Sequence, residues 1–184
     1  MELKKARLSK KHQWLRLNFV PTHYKLNIVY YINMVTAEQI KELRERTGIS
    51  IGQCKKALED AGGDMAKALE LLKEKGAEIA EKKASRTLKA GTISAYVHAG
   101  GAKAGMVQIH CESDFVAKNP EFKQLADDLA MQIAAMDPKD VAELLTQPCI
   151  KDPSLTIDDL IKSYVQKFGE RIEIAQIVRF DTTI

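Results

Sequence analysis

Residues 91–120, GTISAYVHAGGAKAGMVQIHCESDFVAKNP, carry the pattern that decides the fold. Two runs of alternating apolar and polar residues flank a turn at 99–104 that contains Gly100 and Gly101. An alternation with period two on both sides of a turn is typical of a β-hairpin with one buried face. The alternating apolar residues are Ile93, Ala95, Val97, Val107, Ile109 and Cys111.

The chain that follows the hairpin predicts helices and a third strand. Asn119 and Pro120 start a long amphipathic helix, because asparagine caps helices and proline suits the first helical position. Thr156 caps a later helix that Gly169 ends, and residues 172–180 again alternate. We therefore expect an α+β core over 91–184, with an antiparallel three-stranded sheet and helices on one face.

The chain before the hairpin has the period of helices instead. Thr36 and Ser50 each begin a capping-box pattern, and Asp64 is a third N-cap. Glycines at 48, 62–63 and 76 end the three segments. Helices this short must pack on one another to be stable, so residues 34–77 are predicted to form a three-helix module.

Charge is distributed unevenly along the chain. Residues 1–33 hold seven Lys or Arg residues against one acid, Glu2, so the net charge of +3 comes from this basic extension and the rest is mildly acidic. We interpret 1–33 as lying outside the functional chain, with Met34 as the start. Residues 78–90 form a charged connector, and a charge run is more often a solvated surface than a nucleic-acid site.

Several classes of function lack support. The sequence has no apolar run of about 18 residues that could form a membrane helix. Three separated cysteines without a CxxC pair fit a reducing cytoplasm. His110 and Cys111 are adjacent on a predicted strand, so they point to opposite faces and cannot converge on a metal ion or act together in catalysis. We expect no metal, no cofactor and no enzymatic chemistry.

Residues 112–120 do not fit a purely structural role. Phe115 and Val116 lie between a strand end and a helix cap, where connections normally carry polar residues. An apolar ring at such a position either fills its own core or enters a partner, and the residues alone leave both alternatives open.

Two separated motifs resemble the bacterial elongation factor Ts family. QCKKAL at 53–58 follows Thr47 and Gly48 and precedes AGGD at 61–64, and SDFVA stands at 113–117. The resemblance runs from Met34 to the end and indicates the short form with a single sheet unit. It implies a module similar to a ubiquitin-associated domain, an α+β core, and guanine nucleotide exchange on the GTPase elongation factor Tu, in its GDP-bound and nucleotide-free states.

The resemblance also implies which residues bind the partner. Ser113, Asp114, Phe115 and Val116 match the motif that pushes toward the magnesium site of elongation factor Tu. In the first module the expected contacts are Ile49, Ile51, Cys54 and Lys55, although Ile51, Gly52 and Gln53 stand where the family usually has two methionines and an aspartate.

We also expect a homodimer. In the short members a single sheet unit is expected to pair with a copy of itself. A three-stranded sheet covered by helices on one face leaves a second face or edge open, here expected to carry Tyr96, Ile174 or Ile177.

Two other functions remain as alternatives. One is a ubiquitin-associated-like adaptor for helical peptides, resting on residues 36–76. The other is an RNA-binding protein that uses basic residues of 1–33 and 82–89. Neither explains the motif at 113–117, so we expect no direct nucleic-acid or membrane partner.

Overall fold

A computed structural model describes residues 35–182, so the predicted basic extension and start at Met34 lie outside the described residues. This range contains seven helices and three strands. In chain order they are α1 (Ala37–Thr47), α2 (Ile51–Asp60), α3 (Met65–Lys83), β1 (Ala90–Val97), β2 (Lys103–Cys111), α4 (Asp114–Ala117), α5 (Pro120–Met136), α6 (Val141–Thr146), α7 (Ile157–Phe168) and β3 (Ile172–Asp181).

The first three helices pack around a core of their own that includes Leu43, Leu58 and Leu72. The capping box of α1 is present, because the Gln39 amide donates to the Thr36 hydroxyl and the Thr36 amide donates to the Gln39 side chain. The second predicted capping box is wrong in its contacts, since Ser50 is the N-cap of α2 but its side chain makes no cap hydrogen bond.

The third helix does not end at Gly76, as its glycine predicted, but continues to Lys83. Gly76 lies against α7, where an added Cβ would be 3.1 Å from Gln166 Oε1 and 3.6 Å from the Lys162 carbonyl oxygen. The glycine therefore permits close packing of two helices rather than a stop. Residues 78–83 were predicted to lie in a connector but belong to α3. Ile79 packs against the core between the sheet and its covering helices.

The sheet has the order β1-β2-β3 and is antiparallel throughout, as the sequence predicted. Helix α5 covers one face and contributes the buried residues Phe122, Leu129 and Ile133 to the core. The facing residues of β2 are Val107, Ile109 and Cys111, which are all buried. This predicted half of the hairpin is confirmed.

Strand β1 presents its apolar residues outward. Ser94 is paired with Val107, so it lies on the helix side, and its hydroxyl donates to Asp127 of α5. Ile93 and Val97 lie on the other face and are 65% and 64% exposed. The more polar half of β1 faces α5 because the register with β2 places it there.

Strand β3 changes face along its length. Its pairing with β2 shifts between Gln108 and Ile109, so Ile174 pairs with Ile109 on the helix side. Val178, which has the same parity in the sequence, pairs with Met106 on the open face. A bulge of this kind reverses the side to which all later residues point.

The residues predicted for the dimerisation surface are therefore wrong. Ile174 is buried, and Tyr96 and Ile177 are half-buried against the core on the helix side. A different group of apolar side chains occupies the uncovered side of the sheet, which we call the open face. It consists of Ile93, Ala95, Val97, Ala104, Met106, Val178 and Phe180.

The close approach of β2 to α5 gives a test of this packing. A Cβ added at Gly105 would be 2.3 Å from the Ala130 carbonyl oxygen and 2.7 Å from the Ala134 amide nitrogen. Since both atoms belong to the backbone of α5, we expect Gly105→Ala to lower the free energy of unfolding by about 3 kcal/mol. Urea denaturation would measure this loss.

A matched control is Gly52→Ala, whose added Cβ would have no atom within 4 Å. We expect its stability to change by less than about 1 kcal/mol, in the direction of greater stability, because alanine is the better helix former. An equally mild effect at Gly105 would contradict the tight packing of the sheet on α5.

Candidate functional site

The connection between β2 and α5 contains a short turn at residues 113–116, which we call the tip and which carries an exposed aromatic ring. Residues 114–117 form the single-turn helix α4, and Phe115 on it is 83% exposed. Its neighbour Val116 is 3% exposed and belongs to the core under the sheet. Of the two alternatives for Phe115, filling its own core is thereby excluded. The ring is therefore free to contact a partner.

Ser113 is the N-cap of α4 and fixes the start of the tip. Its hydroxyl accepts a hydrogen bond from the Val116 amide (3.4 Å) and donates one to Glu170 Oε1 (2.6 Å). Asp114 is exposed and forms an ion pair with Lys118 at 3.8 Å. An exposed pair of this kind contributes little to stability, so Asp114 is available to a partner.

The carboxylates of Glu112 and Glu170 join the connection after β2, which carries the tip, to the turn before β3. Glu170, which follows the C-cap Gly169 of α7, accepts from the backbone amides of Glu112 (3.1 Å) and Ser113 (3.0 Å). Glu112 in turn accepts from the Arg171 amide (2.6 Å) and from Arg86 (3.2 Å). These contacts could not be predicted from the sequence, because Glu112 and Glu170 are far apart along the chain and neither belongs to a recognisable motif.

The environment of Glu112 keeps it ionised. Partial burial raises the pKa of this carboxyl, but the hydrogen bonds from the Arg171 amide and Arg86, with the charges of Arg86 and Lys83, outweigh burial. Its pKa therefore lies below the ordinary value. The negative charge needed to accept these bonds is present at neutral pH.

The expected contacts in the first module divide into two groups. Ile49 and Cys54 are buried in the three-helix core, where the Cys54 thiol donates to the Ile49 carbonyl (3.6 Å). Ile51 is 55% exposed, and Lys55 is exposed beside Glu59 at 3.7 Å. Only Ile51 and Lys55 of the four can touch a partner without unfolding the module.

Helices α3 and α7 join the first module to the core. Gln166 of α7 is buried and donates from Nε2 to Gln53 Oε1 of α2 (2.6 Å). Lys83 at the end of α3 donates to the Gly169 carbonyl (2.6 Å), next to Glu170. These contacts tie the exposed residues of α2 and the tip at Phe115 to one continuous packed structure.

Cys111, which lies beside the tip, is buried. Burial, followed by the charge of Glu170, raises the pKa of Cys111, whose thiol donates to the Ser113 carbonyl (3.3 Å). A neutral buried thiol is a poor nucleophile. His110 lies on the opposite face, within 3.0 Å of the Gln108 side chain, as predicted. Within residues 35–182 no cluster of His, Cys, Asp or Glu is arranged to hold a metal ion.

No helix among residues 35–182 is long and apolar enough to span a membrane.

Comparison with known proteins identifies the family. The model of the family described as Elongation factor TS matches residues 112–183, a range that includes the tip and Glu170. Elongation factor Ts of Thermodesulfovibrio yellowstonii is 41% identical over 191 residues, covering 79% of this chain and 95% of the relative. The protein of the same name from Carboxydothermus hydrogenoformans is 40% identical over 193 residues, covering 80% of the chain and 89% of the relative.

Similarity extends to a longer relative as well. Elongation factor Ts of a Synechococcus species is 38% identical over 192 residues, covering 79% of this chain and 74% of that protein. These alignments run over more positions than the 184 residues of this chain, so the relatives contain residues that it lacks. At this identity over about four fifths of its length, the chain belongs to the elongation factor Ts family.

Proposed function

We propose that this protein is a guanine nucleotide exchange factor that acts on elongation factor Tu in translation elongation. The observation that carries the proposal is the tip at residues 113–116, where Phe115 is held outward by a buried neighbour and a bonded serine. A rigid aromatic side chain on a protruding turn is suited to enter a cleft of another protein. The family supplies the identity of that protein.

The proposed mechanism is displacement rather than covalent chemistry. A GTPase holds GDP partly through Mg²⁺, which bridges phosphate oxygens and protein ligands. If Phe115 fills a cleft that opens only when the surrounding loops move, then binding of the tip and tight binding of Mg·GDP oppose one another. This coupling is reciprocal: GDP weakens binding of the exchange factor by the same factor by which the exchange factor weakens binding of GDP.

Each residue of the tip has a distinct role in this proposal. Phe115 is the wedge, and the exposed carboxylate of Asp114 accepts hydrogen bonds from the displaced backbone of the partner. Ser113 and Val116 do not enter the partner. They anchor the turn through the Glu170 contact and the core. The chain itself requires no metal or cofactor for this action.

A second contact with the GTPase is proposed on α2, through Ile51 and Lys55. We interpret α1–α3 as the ubiquitin-associated-like module of the family. Since Gln53 and Gln166 bond the module to the core, the two contact regions are presented in a fixed relation. Fixing two contacts on one scaffold avoids an entropic cost on binding. The cytoplasm, where translation takes place, is the proposed location.

We further propose that the protein is a homodimer of the short form, paired through the open face of the sheet. Ile93, Val97 and Phe180 are each more than half exposed there, and Met106 and Val178 lie between them. A contiguous apolar patch of this kind is unusual on a monomer. A second copy of the same face would cover it.

The direct test is release of a fluorescent GDP analogue from elongation factor Tu, followed with and without this protein. We expect release to accelerate with the concentration of the protein and to reach a plateau. An unchanged release rate at micromolar concentrations, with the protein shown to be folded, would reject the proposed function.

The two alternatives make different predictions in simple assays. An adaptor built on α1–α3 would retain ubiquitin-like proteins or helical peptides and would leave GDP release unchanged. An RNA-binding protein would lose affinity for RNA steeply with salt. Three of the four basic residues at 82–89 already have partners, which disfavours RNA binding: Lys82 pairs with Glu78, Lys83 with the Gly169 carbonyl and Arg86 with Glu112.

A further inference from the structure

The backbone amides at the base of the tip donate to a side chain that is distant in the sequence. Strand β2 ends at Cys111 and α4 begins at Asp114, so the amides of Glu112 and Ser113 lie between two regular elements. Both donate to the same atom, Glu170 Oε2, at 3.1 and 3.0 Å. The other carboxylate oxygen accepts from the Ser113 hydroxyl at 2.6 Å. One side chain thus accepts three hydrogen bonds from two consecutive residues.

The arrangement is reciprocal, which gives it rigidity. Glu112, whose amide donates to Glu170, itself accepts from the amide of Arg171, the residue after Glu170. Arg86 bonds the Glu112 carboxylate, and its carbonyl accepts from Arg171 Nη1 (2.7 Å). The connection after β2 and the turn before β3 are therefore bonded in both directions. Charged acceptors make these bonds stronger than neutral ones.

We propose that Glu170 is a positioning residue for the exchange reaction, which holds the turn so that Phe115 projects in its binding orientation before the partner arrives. This inference rests on the proposed function, because it assigns Glu170 a task in nucleotide exchange. Its reason is entropic. A turn that is already ordered loses less conformational freedom when it enters a partner, so its affinity is higher.

The contacts also explain how the tip tolerates an exposed ring. Phe115 gains nothing from its own core at 83% exposure, so its attraction for apolar surface would draw a flexible turn back onto the protein. The buried Val116 holds the turn from one side and Glu170 holds it from the other. Together they leave the ring directed outward.

The test compares three variants by the concentration dependence of GDP release from elongation factor Tu. Glu170→Ala removes all three acceptors. Glu170→Gln keeps a carbonyl oxygen for the two amides and an amide group that can donate to the Ser113 hydroxyl. Glu74→Ala is the matched control, because it removes an exposed carboxylate of α3 that takes no part in these contacts. Thermal unfolding of each variant monitors the fold.

We expect Glu170→Ala to raise the concentration needed for half-maximal exchange about tenfold, while the plateau rate stays within about twofold. Glu170→Gln should restore most of the wild-type value, and Glu74→Ala should match the wild type. A purely structural role would act differently, because loss of folded protein lowers the amount of active factor and is visible in thermal unfolding. An unchanged half-maximal concentration in folded Glu170→Ala would overturn the proposal.

A second measurement does not depend on exchange activity. Hydrogen exchange of the Glu112 and Ser113 amides should accelerate in Glu170→Ala by at least about tenfold, with core amides unaffected. Should Glu170→Ala fail to fold, Ser113→Ala compared with Ser113→Thr applies the same test to the hydroxyl contact alone. If the wild type itself does not accelerate GDP release, the proposed function fails. If the wild type is active and amide protection at 112–113 is unchanged in Glu170→Ala, only the positioning role fails.

Discussion

Phe115→Ala is expected to keep the fold and to lose most of the exchange activity. The ring is 83% exposed, so its removal deletes few contacts within the protein and should change the free energy of unfolding by less than about 0.5 kcal/mol. As a buried aromatic anchor at an interface it would contribute about 2 to 4 kcal/mol to binding. We therefore expect GDP release at a fixed, subsaturating concentration to slow by roughly 30-fold or more.

Two variants make this result specific. Ile150→Ala truncates another exposed apolar residue, 42% exposed and distant from the tip in the sequence, and should leave exchange unchanged. Phe122→Ala truncates a phenylalanine that is fully buried in the core, and should cost roughly 3 to 5 kcal/mol of stability. A folded Phe115→Ala variant with wild-type GDP release would show that the ring is not the wedge.

Much of the fold could be predicted because local signals agreed with the final packing. Thr36, Asp64, Asn119 and Thr156 all cap helices with their side chains. Gly48 and Gly169 adopt positive φ angles of 67° and 69° directly after α1 and α7. In these places the residue type required by local geometry is the one that the tertiary structure also uses.

The mistaken predictions concern features that depend on a neighbouring element. Gly76 has the sequence signature of a helix end, but its lack of a side chain serves the contact with α7. The face of β1 that is covered depends on its register with β2, and the bulge in β3 depends on pairing that the alternation of residues cannot reveal. Distant parts of the chain determine each of these outcomes.

The candidate site shows the same division. Phe115 could be singled out from the sequence because connections normally carry polar residues rather than aromatic ones. The separation of the tip into an exposed Phe115 and a buried Val116 required the structure. Glu170 could not have been found from spacing, because its partners Glu112 and Ser113 lie in the connection after β2, 58 and 57 residues earlier in the chain. In the first module, the resemblance implied contacts by both Ile51 and Cys54, and only the structure separates the exposed Ile51 from the buried Cys54.

Ile93→Glu is expected to convert a dimer into a monomer of 20.6 kDa. Ile93 is 65% exposed on the open face, so a carboxylate there remains hydrated in the isolated chain and leaves the fold intact. In a dimer paired through this face, the same charge would be buried against apolar side chains of the second copy without a cation, at a cost of several kcal/mol. Sedimentation equilibrium at micromolar concentration measures the mass.

Glutamate substitutions at different positions distinguish a dimer paired through the open face from one paired through a strand edge. Phe180→Glu, on β3 at the other side of the open face, should dissociate the dimer as well, because both residues lie on the same surface. Ile150→Glu places the same charge on an exposed apolar residue whose amide bonds Gln132 of α5, on the helix side of the sheet, and should leave the dimer intact. Strand edges pair through backbone groups and would tolerate all three substitutions. A wild-type protein that sediments as a monomer and still accelerates GDP release would reject the proposed homodimer. Dissociation by Ile150→Glu alone would place the contact on the helix side.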